Sequence, residues 1–496
     1  MKKANRIIAI LISLLLTGSS ILSCGTAETA EETQVTSETI AETTAIETEP
    51  ETEPDPFADR TLQDSVPELD FGGTDFRSMS QDGACVQDIY VEDMTGEALN
   101  DVIYNRNISI SERFNVNITA PDDLAWDALG RKVKATVAAG DDAYDLVLGQ
   151  MAESSSAALS GYFRNLLELP HFNFENPWYP KSMMQEGLST VNGKLYMAVS
   201  DMLLSYTTYS WAVVFDKVYA ENYGITGVYD IVRNGEWTLD KMIELTEDIY
   251  TDTNNDGVKD ENDFYGLAYR ADGCGFIASL YALGVRTMEV KDQKAIMTLN
   301  TETNASIFEK IYSMLQKPGT CQGPMNGLWP EQIMKNGNSV FATMSLYQIQ
   351  RSMREYDKAF GIIPLPKWSE EQKEYYSTSD AGCNVITVLT TAQNLEMIGA
   401  VTEALSAESW RSVMPVLCDV ALGTKMARDQ ESIAMVDLVL DSRYIDFAYL
   451  YNGWDGWTFK SGEFIAQEGV FASTYAKHEK AVQNHYDKLL KFFYES

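Results

Sequence analysis

The densest chemistry in the chain lies in twelve residues, Asp252-Thr253-Asn254-Asn255-Asp256-Gly257-Val258-Lys259-Asp260-Glu261-Asn262-Asp263. Oxygen-bearing side chains fall at loop positions 1, 3 and 5 (Asp252, Asn254, Asp256). Gly257 takes the sharp turn at 6, Val258 offers its carbonyl at 7, and Asp260 and Asp263 stand at 9 and 12. A hard cation such as calcium gathers six to eight oxygens, and this spacing supplies them. The last position usually holds Glu, and Asp263 is one methylene shorter. The loop reads as a structural calcium staple with no catalytic duty; the plainer alternative is an Asp/Asn-rich turn without metal.

Other reactive residues are sparse. Cys85, Cys274, Cys321, Cys383 and Cys418 are widely spaced with no C-x-x-C pair, so they read as buried free thiols, with one or two disulfides as the alternative. His171, His478 and His485 form no motif of the kind that holds a transition metal. G-x-S-x-G, H-E-x-x-H and P-loop spacings are missing, and no two of the 73 acidic residues can be placed at a glycosidase separation from sequence. The formal net charge of −35, with no cluster of Lys and Arg, argues against nucleic acid as a partner. It also argues against an anionic membrane surface binding the body of the protein. These residues supply no signature of an enzyme.

The elements that must position any site follow an α/β rhythm. Glu97–Phe114 carries apolar residues at helical spacing, and Asn115–Ile118 then alternates like a strand. Arg131–Ala139 reads as a helix stopped at Gly140, and Tyr144–Gly149 as a buried strand. Further strands are expected over Lys194–Val199, Ser210–Phe215, Ser339–Met344, Phe360–Ile363 and Asn384–Leu389. Helices are expected over Leu239–Tyr250, Thr303–Leu315, Asn394–Ala404 and Ser432–Leu440. About 430 residues of body exceed one ordinary core, so two lobes are expected in an α/β layer architecture.

Lys2, Lys3 and Arg6 precede an apolar run from Ile7 to Leu16, too short to span a bilayer comfortably, and then Ile21-Leu22-Ser23-Cys24. This arrangement resembles the signal peptide and lipobox of bacterial lipoproteins, which implies a cleaved segment 1–23 and acylation (palmitate among the acyl chains) at Cys24. The Thr/Glu/Pro-rich stretch 24–60 follows as an extended acidic tether. Localisation at the bacterial cell surface or periplasmic face, with the membrane touched through the lipid alone, is the expectation.

Gly96–Asn107, Tyr144–Val147, Gly193–Tyr196, Val214–Lys217, Glu236–Asp240, Phe264–Leu267, Gly337–Phe341 and Phe360–Pro366 together resemble, in order, extracellular solute-binding proteins of carbohydrate ABC transporters, the maltose-binding-protein-like group. The resemblance covers most of the body. It implies a periplasmic-binding-protein-like fold of two lobes with hinge strands between them, closing on a sugar for ABC permease subunits, as a monomer. The implied division is 61–203 for the first lobe and 204–336 for the second. Residues 337–390 are assigned to a return through the first lobe, and 391–496 to the second lobe and C-terminal helices.

By position relative to the implied hinge, Gln150, Trp178, Tyr206, Tyr209, Phe276, Tyr347, Gln348, Asp380, Trp454 and Trp457 are the expected cleft residues, since sugars ask for aromatic faces with a few placed polar groups. For each ring, packing in the core is an equal alternative. Trp237, beside the cap residue Thr238, is assigned to the core, and Trp329 beside Pro330 fits either role. A glycan adhesin, a sensor, a peptide binder and a glycoside-active surface enzyme stay open as rival readings.

Overall fold

A computed structural model of the chain describes residues 60–180, 182, 191–418, 430–451 and 456–495. The signal segment, Cys24, nearly all of the tether and Trp454 lie outside the described residues.

Two sheets organise the body. The first has the order β12-β3-β1-β2, built from β1 (Thr74–Gln81), β2 (Val116–Leu124), β3 (Leu146–Gln150) and β12 (Asn384–Thr387). β1 runs parallel to β2 and β3, and β12 is antiparallel to β3. The second has the order β11-β4-β10-β6-β5, from β4 (Trp211–Asp216), β5 (Tyr250–Thr251), β6 (Phe264–Arg270), β10 (Ser339–Ser345) and β11 (Phe360–Pro364), with β9 (Thr320–Gly323) paired to β6. β6, β9 and β10 are parallel, while β4 is antiparallel to β10 and β11. A separate hairpin joins β7 (Met288–Lys291) to β8 (Lys294–Met297). Every residue of β4, β10 and β11 is buried, which matches their continuous apolar sequence and marks them as strands covered on both faces.

The helices form where the sequence supplies ends for them. Ala98–Phe114 stops at Asn115, whose N–H still donates to the Ser111 carbonyl while its left-handed backbone (φ 50°) turns the chain out of the helix. Thr238 caps Leu239–Thr246 by accepting from the Lys241 N–H. Trp237 is fully buried and donates to the Pro364 carbonyl at 2.9 Å, so it belongs to the core as expected.

Three expectations need correction. The segment 337–390 does not return as one piece through the first sheet. β10 and β11 both pair within the second sheet, and only β12 joins the first, because β10 fills the gap between β4 and β6. Likewise helix Leu395–Glu408 packs on helix Ala98–Phe114 beside the first sheet, whereas Gln430–Asp441 packs on β11. Lys194–Val199 is not a strand. It is mostly buried but touches the first sheet at one bridge, Ala198 with Ile386, and the Tyr196 N–H is taken by the Tyr451 hydroxyl. Cys85, Cys274, Cys321, Cys383 and Cys418 are all free thiols.

Candidate functional site

The chain passes from the first sheet to the second through the short helix Leu204–Thr208 and comes back over residues 377–384. The two passages touch at a bridge between Ser210 and Ser379, and the Asp380 N–H donates to the Tyr209 carbonyl at 3.1 Å. Beside this crossing lies a cleft of about 490 Å³. It is lined by Tyr209 and Asp380 from the crossing, Trp211 at the start of β4, Arg270 at the end of β6, Trp329 and Glu331 after β9, and Tyr347 and Gln348 after β10. The C-terminal ends of parallel strands thus converge on it, the usual place for a ligand in an open α/β sheet.

Local sequence sets each wall. Ser345 begins helix Leu346–Ser352 with a reciprocal cap: its hydroxyl accepts from the Gln348 N–H, and the Gln348 Oε1 accepts from the Ser345 N–H at 2.8 Å. That cap fixes Gln348, whose Nε2 reaches the Glu331 Oε1 at 3.3 Å. Tyr347 meets Tyr209 edge-on, ring centroids 5.3 Å apart, and its hydroxyl accepts from Arg351 at the exposed rim. Arg270 lies 3.8 Å from the Trp329 ring centroid and 5.8 Å from that of Trp211, and Asp272 pairs with it at 2.8 Å. Gly382 lets the crossing close up: a Cβ there would stand 3.0 Å from the Asp380 Oδ1, 3.5 Å from the Gln150 Nε2 and 3.7 Å from the Tyr209 ring. Gln150, at the end of β3, is therefore a neighbour of the cleft from the first sheet. Burial pushes the Tyr209 phenol and the Glu331 carboxyl up from their ordinary values.

Of the expected residues, the fold brings Tyr209, Tyr347, Gln348 and Asp380 together, with Gln150 at their edge. Four others are placed in the core. Trp178 is 1% exposed, donates to the Glu403 Oε1 at 3.2 Å and packs on Trp410. Tyr206 is buried with the Arg443 guanidinium 4.6 Å from its ring centroid. Phe276 is buried against Tyr269 and Gly462. Trp457 is stacked on Tyr475, centroids 4.9 Å apart. Trp211, Arg270 and Glu331 escaped the sequence reading. Trp211 heads an apolar run and reads as core, while the other two carry no local signal; strand ends shared in space could have shown them.

The Asp-rich loop closes on itself. Asp252 Oδ2 accepts from the Gly257 N–H at 2.9 Å, linking positions 1 and 6. Asn254 and Asp256 accept from the N–H groups two residues on, and Asp263 accepts from Thr253, Asp260 and the Tyr250 hydroxyl. Asp252 Oδ1 is buried with no partner in the protein. An all-oxygen donor set with an orphaned carboxylate atom suits a hard cation chemically. Among the described residues no three His, Cys, Asp or Glu side chains converge as a metal cage, so a cation would have to draw the loop's carboxylates inward.

No protein-family model matches the chain, and no curated protein sequence does. Solved structures do match in shape. A maltose/maltodextrin-binding domain from Bdellovibrio bacteriovorus bound to maltotriose superposes with a TM-score of 0.51 at 14% identity, over 85% of this chain and 100% of that one. The galacto-N-biose-/lacto-N-biose I-binding protein of an ABC transporter from Bifidobacterium longum gives 0.52 at 14%, over 86% and 98%. A cyclic alpha-maltosyl-1,6-maltose binding protein from Arthrobacter globiformis gives 0.52 at 11%, over 84% and 100%. Two sheets joined by crossing segments, matched over nearly the whole of each of these chains, establish that this protein has the two-lobed solute-binding fold.

Proposed function

We propose that the protein captures a sugar or oligosaccharide in the cleft beside the crossing and delivers it to an ABC importer, without chemical change to the sugar. The observation that carries this reading is the composition of the cleft. Tyr209, Tyr347, Trp211 and Trp329 supply aromatic faces, while Asp380, Glu331, Gln348 and Arg270 supply polar contacts, at strand ends in a fold whose solved neighbours are sugar-binding proteins. Aromatic rings meet the C–H faces of a sugar, and side-chain oxygens and amides meet its hydroxyls. Closure of two lobes about a solute then gives a permease a state to recognise.

The amino-terminal sequence supports lipid attachment at Cys24 after removal of residues 1–23, with the acidic tether holding a monomeric body off the membrane. The orphaned Asp252 oxygen and the loop's oxygen donors support calcium, held by Asp252, Asn254, Asp256, the Val258 carbonyl, Asp260 and Asp263, as a staple between helix Leu239–Thr246 and β6. An uptake assay tests the transport role. Loss of the chain should abolish accumulation of the labelled sugar that the purified protein binds, and Cys24→Ala should release the protein from the membrane fraction. Undiminished uptake without the chain would favour a sensor or adhesin.

A further inference from the structure

The cleft has one corner whose polar groups are only half used. Trp211 is 2% exposed and its indole N–H has no partner in the protein. Glu331 is 8% exposed; its Oε1 accepts from Gln348, while its Oε2 has no partner in the protein. One residue offers an unused donor and the other an unused acceptor, and both line the same cleft. A hydroxyl group accepts and donates at once, so sugar hydroxyls are the neutral groups that satisfy a donor and an acceptor of this kind. Leaving either group unpaired in a buried wall is costly, which makes the pair selective and not merely permissive.

The charges around this corner narrow the ligand further. The guanidinium of Arg270 lies nearest, bracketed by the two indoles, and it is already matched by Asp272 at 2.8 Å. Arg351 stands exposed at the rim and donates to the Tyr347 hydroxyl. The carboxylates of Glu331 and Asp380 thus line the cleft beside two cations, one already paired with Asp272 through its Nε and Nη2 and the other at the rim. We infer that the Trp211–Glu331 corner reads a hydroxyl of an uncharged sugar residue and turns away sugars that carry a carboxylate. This rests on the sugar-capture reading and specifies its substrate class.

Calorimetric titration of the full-length chain, purified in detergent, tests it with two series: neutral di- and trisaccharides, and uronic acid oligomers of the same lengths. The inference expects saturable binding from the neutral series and uronates at least roughly tenfold weaker. Glu331→Gln, which keeps the shape and the Gln348 contact, should weaken the neutral sugar by roughly tenfold and narrow the gap to the uronates. Trp211→Phe should weaken it too while keeping the ring, and thermal unfolding of both variants reports folding separately. Uronates that bind as tightly as neutral sugars, or neutral binding untouched in both folded variants, would overturn the inference and leave sugar capture standing. No binding by any series would overturn sugar capture itself, and the inference with it.

Discussion

Glu403 on helix Leu395–Glu408 offers the sharpest physical test, because two effects oppose each other there. The side chain is fully buried, yet it collects the Tyr179 hydroxyl at 2.5 Å, the Asn176 Nδ2 at 2.8 Å, the Trp178 Nε1 at 3.2 Å and the Asn173 N–H at 3.4 Å. Donors favour the carboxylate and burial favours the acid, and burial dominates: the group is pushed up from 4.5 to about 7. A carboxyl raised in the folded state binds a proton that the unfolded chain has already lost between those two values. Its contribution is thus full below pH 4.5 and is lost as pH rises toward 7, by about 3 kcal/mol at 1.36 kcal/mol per tenfold in proton affinity. Glu403→Gln imitates the protonated form and removes the slope. Urea unfolding of both proteins at pH 4.5, 6, 7 and 8 should show the variant gaining on the wild type by about 3 kcal/mol across the range. Asp88, raised to about 6 by burial, tilts both proteins equally and cancels in the difference. A flat difference would mean that the four donors balance burial, and a variant that falls behind as pH rises that they outweigh it; either result refutes the reasoning.

Further outcomes follow from the same geometry. Tyr209→Ala and Tyr347→Ala should each weaken sugar binding roughly tenfold with the circular dichroism spectrum unchanged, whereas Trp178→Phe should leave affinity intact and lower stability by about 1–3 kcal/mol, read by titration and urea unfolding side by side. Calcium at a hundredfold excess over its dissociation constant should stabilise the fold by about 2.7 kcal/mol, and Asp252→Asn should abolish the melting shift between calcium and chelator. Gly399→Ala would place a Cβ 1.9 Å from the Pro170 carbonyl oxygen, so it should destabilise by at least about 1–3 kcal/mol in the same unfolding assay.

Much of the fold is written in local patterns. Periodicity and end signals locate helix Ala98–Phe114 and its stop at Asn115, and apolar runs locate β3, β4, β10, β11 and β12. What local pattern does not carry is which sheet a strand joins. β10 and β11 have the same buried, apolar character that β3 and β12 of the first sheet have, and only pairing with β4 and β6 assigns them. The site divides in the same way. Tyr209, Tyr347, Gln348 and Asp380 lie just past strand or crossing ends, a position visible along the chain. Trp178, Tyr206, Phe276 and Trp457 lie in the core, where an aromatic residue serves burial as readily as a ligand. Arg270 and Glu331 come from ends brought together only by the parallel order of β9, β6 and β10.

The central claim is that the cleft beside the Tyr209–Asp380 crossing holds an intact sugar. Calorimetric titration of the full-length chain with a broad panel of mono- and oligosaccharides, followed by chromatography of the recovered ligand, tests it most directly. The account predicts saturable one-to-one binding by one glycan class, lost in the Tyr209→Ala/Tyr347→Ala double variant, with the sugar recovered unchanged. Absence of heat across the panel, binding indifferent to that double substitution, or recovery of shortened sugar would contradict it.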